Sequence, residues 1–253
     1  MNQLKDDLHK VSGPYFRFSH NNRYLAYLHG GFNIKIALWD LETDEKIELV
    51  DVTKEIAENA TIGAIAFSPD DEKIFYDFTW HSEDGTMHTN IASVNITTGI
   101  IEQLNVADFQ AAFYNMEISP DGKWIVTGMI TMDDQVCFLV NLEERQTKCV
   151  TVEKGWYSSP KFTLDSSQVV YSHHKKITSP SNLMLSNIDN SENKVLVSGL
   201  VNPGWIPIIT DDEIVFIGRS FDNLRCANVY IINIDGSDLR KLSYLGEQCR
   251  NED

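Results

Sequence analysis

The chain has 253 residues, 42% of them hydrophobic and 23% charged, with 21 Lys and Arg against 37 Asp and Glu and a formal charge of -16. That much apolar material sustains a packed core, which argues against disorder, and the negative field opposes phosphate backbones, so nucleic acid is not an expected partner. No run approaches the roughly 20 apolar residues that span a bilayer, and the opening MNQLKDDLHK has no apolar secretory core. Membrane insertion is not expected, and the chain reads as cytoplasmic, or as periplasmic or secreted if it is a processed form.

An internal repeat organises the rest, each copy built on an apolar anchor followed by a polar turn. Copy one has FSHNN from Phe18, the run RYLAYL from Arg23, a polar loop over 29–33, IKIALWDL from Ile34 and KIELV from Lys46. Copy two has FSPDD from Phe67, KIFYDF from Lys73, a loop over 79–89, NIASVNI from Asn90 and IIEQL from Ile100. Copy three has ISPDG from Ile118, KWIVTGM from Lys123, a loop over 130–135, VCFLVNL from Val136 and TKCVTV from Thr147. Copy four has FTLDS from Phe162, QVVYSH from Gln168, a loop over 174–181, NLMLSNI from Asn182 and KVLVS from Lys194. Copy five has ITDDE from Ile209, EIVFIG from Glu213, a loop over 219–227, NVYIINI from Asn228 and LRKLS from Leu239.

The runs are β-branched and aromatic, alternating or continuously apolar over four to seven positions, and nothing sustains helical spacing for long enough to make a substantial helix. With the strand leading into each anchor, every copy is a four-stranded antiparallel meander, here strands a to d. A single meander cannot bury both of its faces, so the copies must stack, and radial stacking leaves only short, protected edges. The expected fold is an all-β propeller of five four-stranded blades over 13–52, 60–106, 111–153, 156–199 and 203–243, with 1–12 and 244–253 as terminal segments. The alternative is a six-bladed ring with one blade degenerate or missing. Phe18, Phe67, Ile118, Phe162 and Ile209 should be buried between blades, and the Asp residues after them should serve the turn itself.

Phe67 to Asp71, Ile118 to Gly122 and NVYIINIDGSDLRKLS from Asn228 resemble the WD-like repeat of the TolB propeller family. The resemblance covers nearly the whole chain, is strongest in copies two, three and five, and departs from TolB in showing five repeats instead of six and in lacking an export signal and a separate amino-terminal domain. It implies the fold. Similar blades serve as scaffolds, as gating domains of oligopeptidases and as bodies of polysaccharide lyases, so function has to come from the site.

All b-to-c loops should share one rim, and that rim gathers the chemistry-bearing residues. His29, Trp80, His81, His88, His173, His174, Arg219 and Arg225 fall in or beside these loops, and Trp156 and Trp205 in the d-to-a loops of the same face. Trp with Arg suits a peptide or sugar, and His with Glu83, Asp84, Asp133 and Asp134 suits a divalent metal. No G-x-S-x-G, Gly-rich phosphate loop or HExxH occurs. The leading expectation is a non-enzymatic scaffold that binds a protein or peptide through this rim and needs no cofactor. The alternatives are a propeller enzyme of the polysaccharide lyase or glycosidase kind and the accessory propeller of a larger enzyme. Four cysteines without CxxC spacing suggest thiols, although Cys137 and Cys149 flank one c-to-d hairpin and so invite the question of a disulfide.

Overall fold

The structure, a computed structural model, describes residues 16–31, 34–106, 112–130, 135–150, 155–176, 179–201, 208–220 and 223–245. Blade one is β1 (Phe16–Phe18), β2 (Tyr24–His29), β3 (Lys35–Asp40) and β4 (Lys46–Asp51). A four-residue helix, α1 (Val52–Glu55), leads out of it, with the Asp51 side chain accepting from Thr53 N–H at its start. Blade two is β5 (Thr61–Phe67), β6 (Lys73–His81), β7 (Met87–Asn95) and β8 (Ile101–Gln103), and blade three is β9 (Ala112–Ile118), β10 (Trp124–Ile130), β11 (Gln135–Asn141) and β12 (Thr147–Cys149). Blade four is β13 (Trp156–Phe162), β14 (Gln168–His174), β15 (Ser181–Asn187) and β16 (Asn193–Val201). Blade five is β17 (Ile208–Ile209), β18 (Glu213–Ser220), β19 (Asn223–Asn233) and β20 (Arg240–Leu245).

Strands pair in sequence order and antiparallel, so each blade is the expected meander, and β20 runs two residues into the stretch read as terminal. Blades four and five are further joined edge to edge, Leu200 opposite Ser220 and Val201 opposite Arg219. Among the described residues no strand of one blade completes another, and the terminal segment 1–12 lies outside them.

Burial explains why the b strands read as mostly apolar runs. In β6, the six residues Ile74 to Thr79 are all buried, because both faces of the strand are covered by neighbouring blades. The outer d strands are half solvated, as in β4, where Lys46, Ile47 and Glu48 are exposed. Four apolar cores fill the seams between successive blades. Leu28 and Ile36 meet Ile74 and Tyr76, Phe75 and Ile91 meet Met116 and Ile125, Val126 and Leu139 meet Tyr157 and Tyr171, and Leu183 meets Phe216.

Three of the five anchors, Phe67, Ile118 and Phe162, are buried in these seams, and Ile209 is half-buried. Phe18 corrects the expectation, being 54% exposed. Among the described residues no core joins blade five to blade one, so Phe18 lacks the neighbouring wall that covers Phe67. The cysteine hairpin is also resolved. Phe138, not Cys137, stands opposite Cys149, which puts the two sulfurs on opposite faces of the sheet, and no disulfide joins them.

Candidate functional site

The anchor turns repeat one chemistry. Ser19, Ser68, Ser119 and Thr163 donate their hydroxyls to Asn21, Asp70, Asp121 and Asp165 at 2.8, 2.5, 2.6 and 2.6 Å. The same hydroxyl oxygens accept from the backbone N–H of Tyr24, Lys73, Trp124 and Gln168. The next position, Asn22, Asp71, Gly122 or Ser166, takes a positive φ of 59 to 73°, which Asn, Asp and Gly tolerate best. The Asp70 and Asp165 carboxyls sit below the usual carboxylate range because those hydroxyls and nearby backbone N–H groups donate to them. Turn structure accounts for these carboxylates, as the sequence suggested.

On the opposite rim, the residues expected in loops are mostly strand residues. Trp80 pairs with His88 and His81 with Met87 on a long β6–β7 hairpin, so the loop proper is only 82–86. His29 ends β2, His173 and His174 end β14, Arg219 lies on β18 opposite Ala227, and Arg225 lies on β19 with its side chain outside the described residues. Polarity marked these residues as loop, but the ladder carries through them to the hairpin ends.

The ring contacts among these residues are local to single blades. Trp80 stacks between Phe78 and His88, at 5.4 and 5.1 Å between ring centroids, and packs on the first inter-blade core. His173 is buried and stacks on Tyr157 at 4.5 Å, while His174 leans on Trp156 at 6.4 Å. His29 Nε2 lies 3.8 Å from Glu48, and burial lowers its pKa. Trp205, Asp133 and Asp134 lie outside the described residues.

Ser82, Glu83, Asp84 and Gly85 at the hairpin tip repeat the anchor turn. Ser82 Oγ donates to Asp84 Oδ1 at 2.6 Å, Thr86 N–H donates to the same oxygen, and Gly85 N–H donates to the Ser82 carbonyl. Asp84 is thereby held down at about 2, through Ser82 first and Thr86 next. His88 Nε2 is 3.2 Å from Ser82 Oγ. Serine, histidine and aspartate meet here, but the serine stands between the other two. A nucleophile needs its base in the middle, so this is turn chemistry and not a catalytic triad. Among the described residues no group of three His, Cys, Asp or Glu side chains is arranged to hold a metal ion.

The concave site lies at the turn rim. A cavity of about 590 Å³ is lined by the innermost strands of all five blades. Its wall takes the residue before each anchor, Arg17, Ala66, Glu117, Lys161 and Ile208, and the residue two past it in four blades, His20, Pro69, Pro120 and Leu164. Lys161 Nζ donates to Glu117 Oε2 at 2.7 Å. Burial raises the Glu117 pKa, opposed by Lys161 and Arg17. Arg17, half-buried, donates to the Phe16 carbonyl at 3.0 Å and reaches Asn115 Oδ1 at 3.4 Å. Sequence reading missed this group because its members stand singly, one per blade. Aligning the five copies and reading the column before the anchor would have exposed it.

No protein-family profile matches the chain, and no curated protein matches it in sequence. Solved structures do resemble it. A TolB-type protein from Agrobacterium tumefaciens aligns with TM-score 0.62 and 17% identity over 91% of this chain and 80% of its own. TolB from Acinetobacter baumannii aligns with TM-score 0.59 and 16% identity over 88% of this chain and 52% of its own. An oligogalacturonate lyase from Vibrio parahaemolyticus aligns with TM-score 0.68 and 15% identity over 91% of this chain and 66% of its own. The chain thus spans from about half to four fifths of these structures. At such identities the likeness is one of fold alone: the chain is an all-β propeller of five four-stranded blades, with an architecture like that of these structures.

Proposed function

We propose that this propeller is a non-enzymatic scaffold that binds a protein or peptide segment, and that the segment docks in the channel mouth on the turn rim. The observation that carries this reading is the cavity of about 590 Å³ onto which all five blades converge. Its size lies within the roughly 300 to 1,000 Å³ of small-ligand sites. Its wall mixes apolar side chains with a few polar groups, as a recognition site requires. On the b-to-c rim, Trp80, His88, Trp156, His173 and His174 are engaged in ring contacts within their own blades.

Peptide display against the immobilised chain, followed by fluorescence anisotropy on recovered peptides, tests the reading. Leu164→Asp and Ile208→Asp at the channel should weaken binding at least tenfold. His174→Ala with Arg219→Ala on the opposite rim should leave it unchanged. The reverse pattern would return the site to the b-to-c rim.

A further inference from the structure

The channel also specifies the charge of what it takes. Two cations and one carboxylate line it, and only one cation is matched: Lys161 holds Glu117 at 2.7 Å. Among the described residues Arg17 enters no ion pair. Its partners are a main-chain carbonyl and a distant amide oxygen, although a guanidinium offers five N–H donors in a fork suited to a carboxylate. The site costs Arg17 hydration, since burial lowers its pKa against the opposing pull of Glu117. His20, the remaining basic group of the wall, is already held by Asp71 at 2.8 Å. The lining side chains Arg17, Lys161 and Glu117 therefore sum to one positive charge, with the Asp71 carboxylate behind His20, in a chain whose formal charge is -16. A cleft focuses such a local field toward an incoming anion.

The same wall carries apolar side chains left open to solvent. Phe18 is 54%, Leu164 49% and Ile208 62% exposed, and all three line this cavity. An inorganic anion would leave them uncovered. A peptide with an acidic residue among apolar ones covers both features. We propose that the channel takes a short acidic peptide segment whose carboxylate seats on Arg17, with its apolar neighbours against Phe18, Leu164 and Ile208; this rests on the channel-binding reading above. Glu117 then acts as an internal competitor, because it occupies Lys161 and repels the incoming carboxylate.

The test uses end-blocked, fluorescein-labelled tetrapeptides in which leucine and phenylalanine flank either one glutamate or one glutamine, titrated into the full chain by anisotropy. The glutamate peptide should bind at least tenfold tighter than the glutamine peptide. Arg17→Gln should remove that preference, and Glu117→Gln should strengthen binding of the glutamate peptide several-fold. The gain in the second variant cannot come from misfolding. Sodium phosphate should compete only weakly, since it leaves the apolar collar uncovered. Equal binding of the two peptides, or weaker binding on Glu117→Gln, overturns the acidic preference while leaving channel binding intact. If neither peptide binds and displayed peptides ignore Leu164→Asp, channel binding itself fails.

Discussion

The Asp71 carboxylate in the second anchor turn accepts three hydrogen bonds from the first: from the backbone N–H of His20 at 2.7 Å, from its ring Nδ1 at 2.8 Å and from the backbone N–H of Asn21 at 2.9 Å. It thereby staples blade one to blade two at the turn rim. Burial alone would raise the Asp71 pKa, but the His20 and Asn21 N–H groups and the His20 ring outweigh it and hold the carboxyl below its ordinary value. Asp71→Ala should destabilise by roughly 1 to 3 kcal/mol, the cost of orphaning donors to a buried carboxylate. Because the folded pKa is the lower one, this contribution is present above the unfolded value and fades as pH falls through the folded one. Chemical denaturation at pH 7 and pH 3 should show the gap between wild type and variant narrowing at the acid end.

Asp77 gives the opposite slope. It is fully buried on β6 and accepts from the backbone N–H of Ala64 within the irregular β5–β6 register, while its Oδ2 finds no partner among the described residues. Burial pushes its pKa up to about 7, against the backbone N–H groups of Ala64 and Gly63. The folded chain therefore keeps a proton that the unfolded chain releases near pH 4. Stability should fall as pH rises from about 4 to 7 and then level off, by a few kcal/mol in all. Asp77→Asn should flatten this part of the profile, seen by thermal melts from pH 4 to 8.

Gly63 sits against that carboxylate. A Cβ there would lie 2.6 Å from Asp77 Oδ2 and 2.6 Å from the Phe113 carbonyl oxygen. The second neighbour is backbone of the next blade and cannot swing aside. Gly63→Ala should cost roughly 1 to 3 kcal/mol through overpacking. Gly31→Ala, which meets nothing within 4 Å, is the control for the loss of a glycine elsewhere.

The anchors should not behave alike under truncation. Phe67→Ala and Phe162→Ala, in packed seams, should each destabilise by roughly 3 to 5 kcal/mol. Phe18→Ala, at an exposed site, should stay within about 0.5 kcal/mol. Urea midpoints for the three variants separate the cases directly.

Trp80 packs against the first core, and its expected role is in stability. Since it packs on the first seam and stacks on Phe78, Trp80→Ala should lower the melting temperature by several degrees, a loss of roughly 1 to 3 kcal/mol, and leave peptide binding at the channel unchanged. A variant with full stability and no binding would place the site on the hairpin rim after all.

The blades were legible because their signals are local. A hydroxyl residue, an Asx two positions on and a positive-φ residue after it recur within five residues, and the following run shows its burial by being mostly apolar. What escaped was long-range. The exposure of Phe18 depends on whether another blade covers it, which its own turn does not encode. Ser-Glu-Asp-Gly at 82–85 is the anchor turn displaced to the other rim, and without an apolar anchor before it the sequence read as a loop rich in candidate ligands. Arg17, Glu117 and Lys161 come together only through the ring, each surrounded in sequence by ordinary strand residues.

Among the described residues, the bridge of Leu200 and Val201 to Ser220 and Arg219 is the one place where strands of two blades pair, and it gives blades four and five a mechanical character of their own. Elsewhere among the described residues, blades meet without strand pairing, so a seam can loosen while each sheet keeps its ladder. Here main-chain hydrogen bonds cross the seam, and parting the two blades means breaking a ladder as well as exposing a core. In amide hydrogen exchange, β16 and β18 should therefore open as one cooperative unit, with protection at that edge set by the pair of blades and not by either alone.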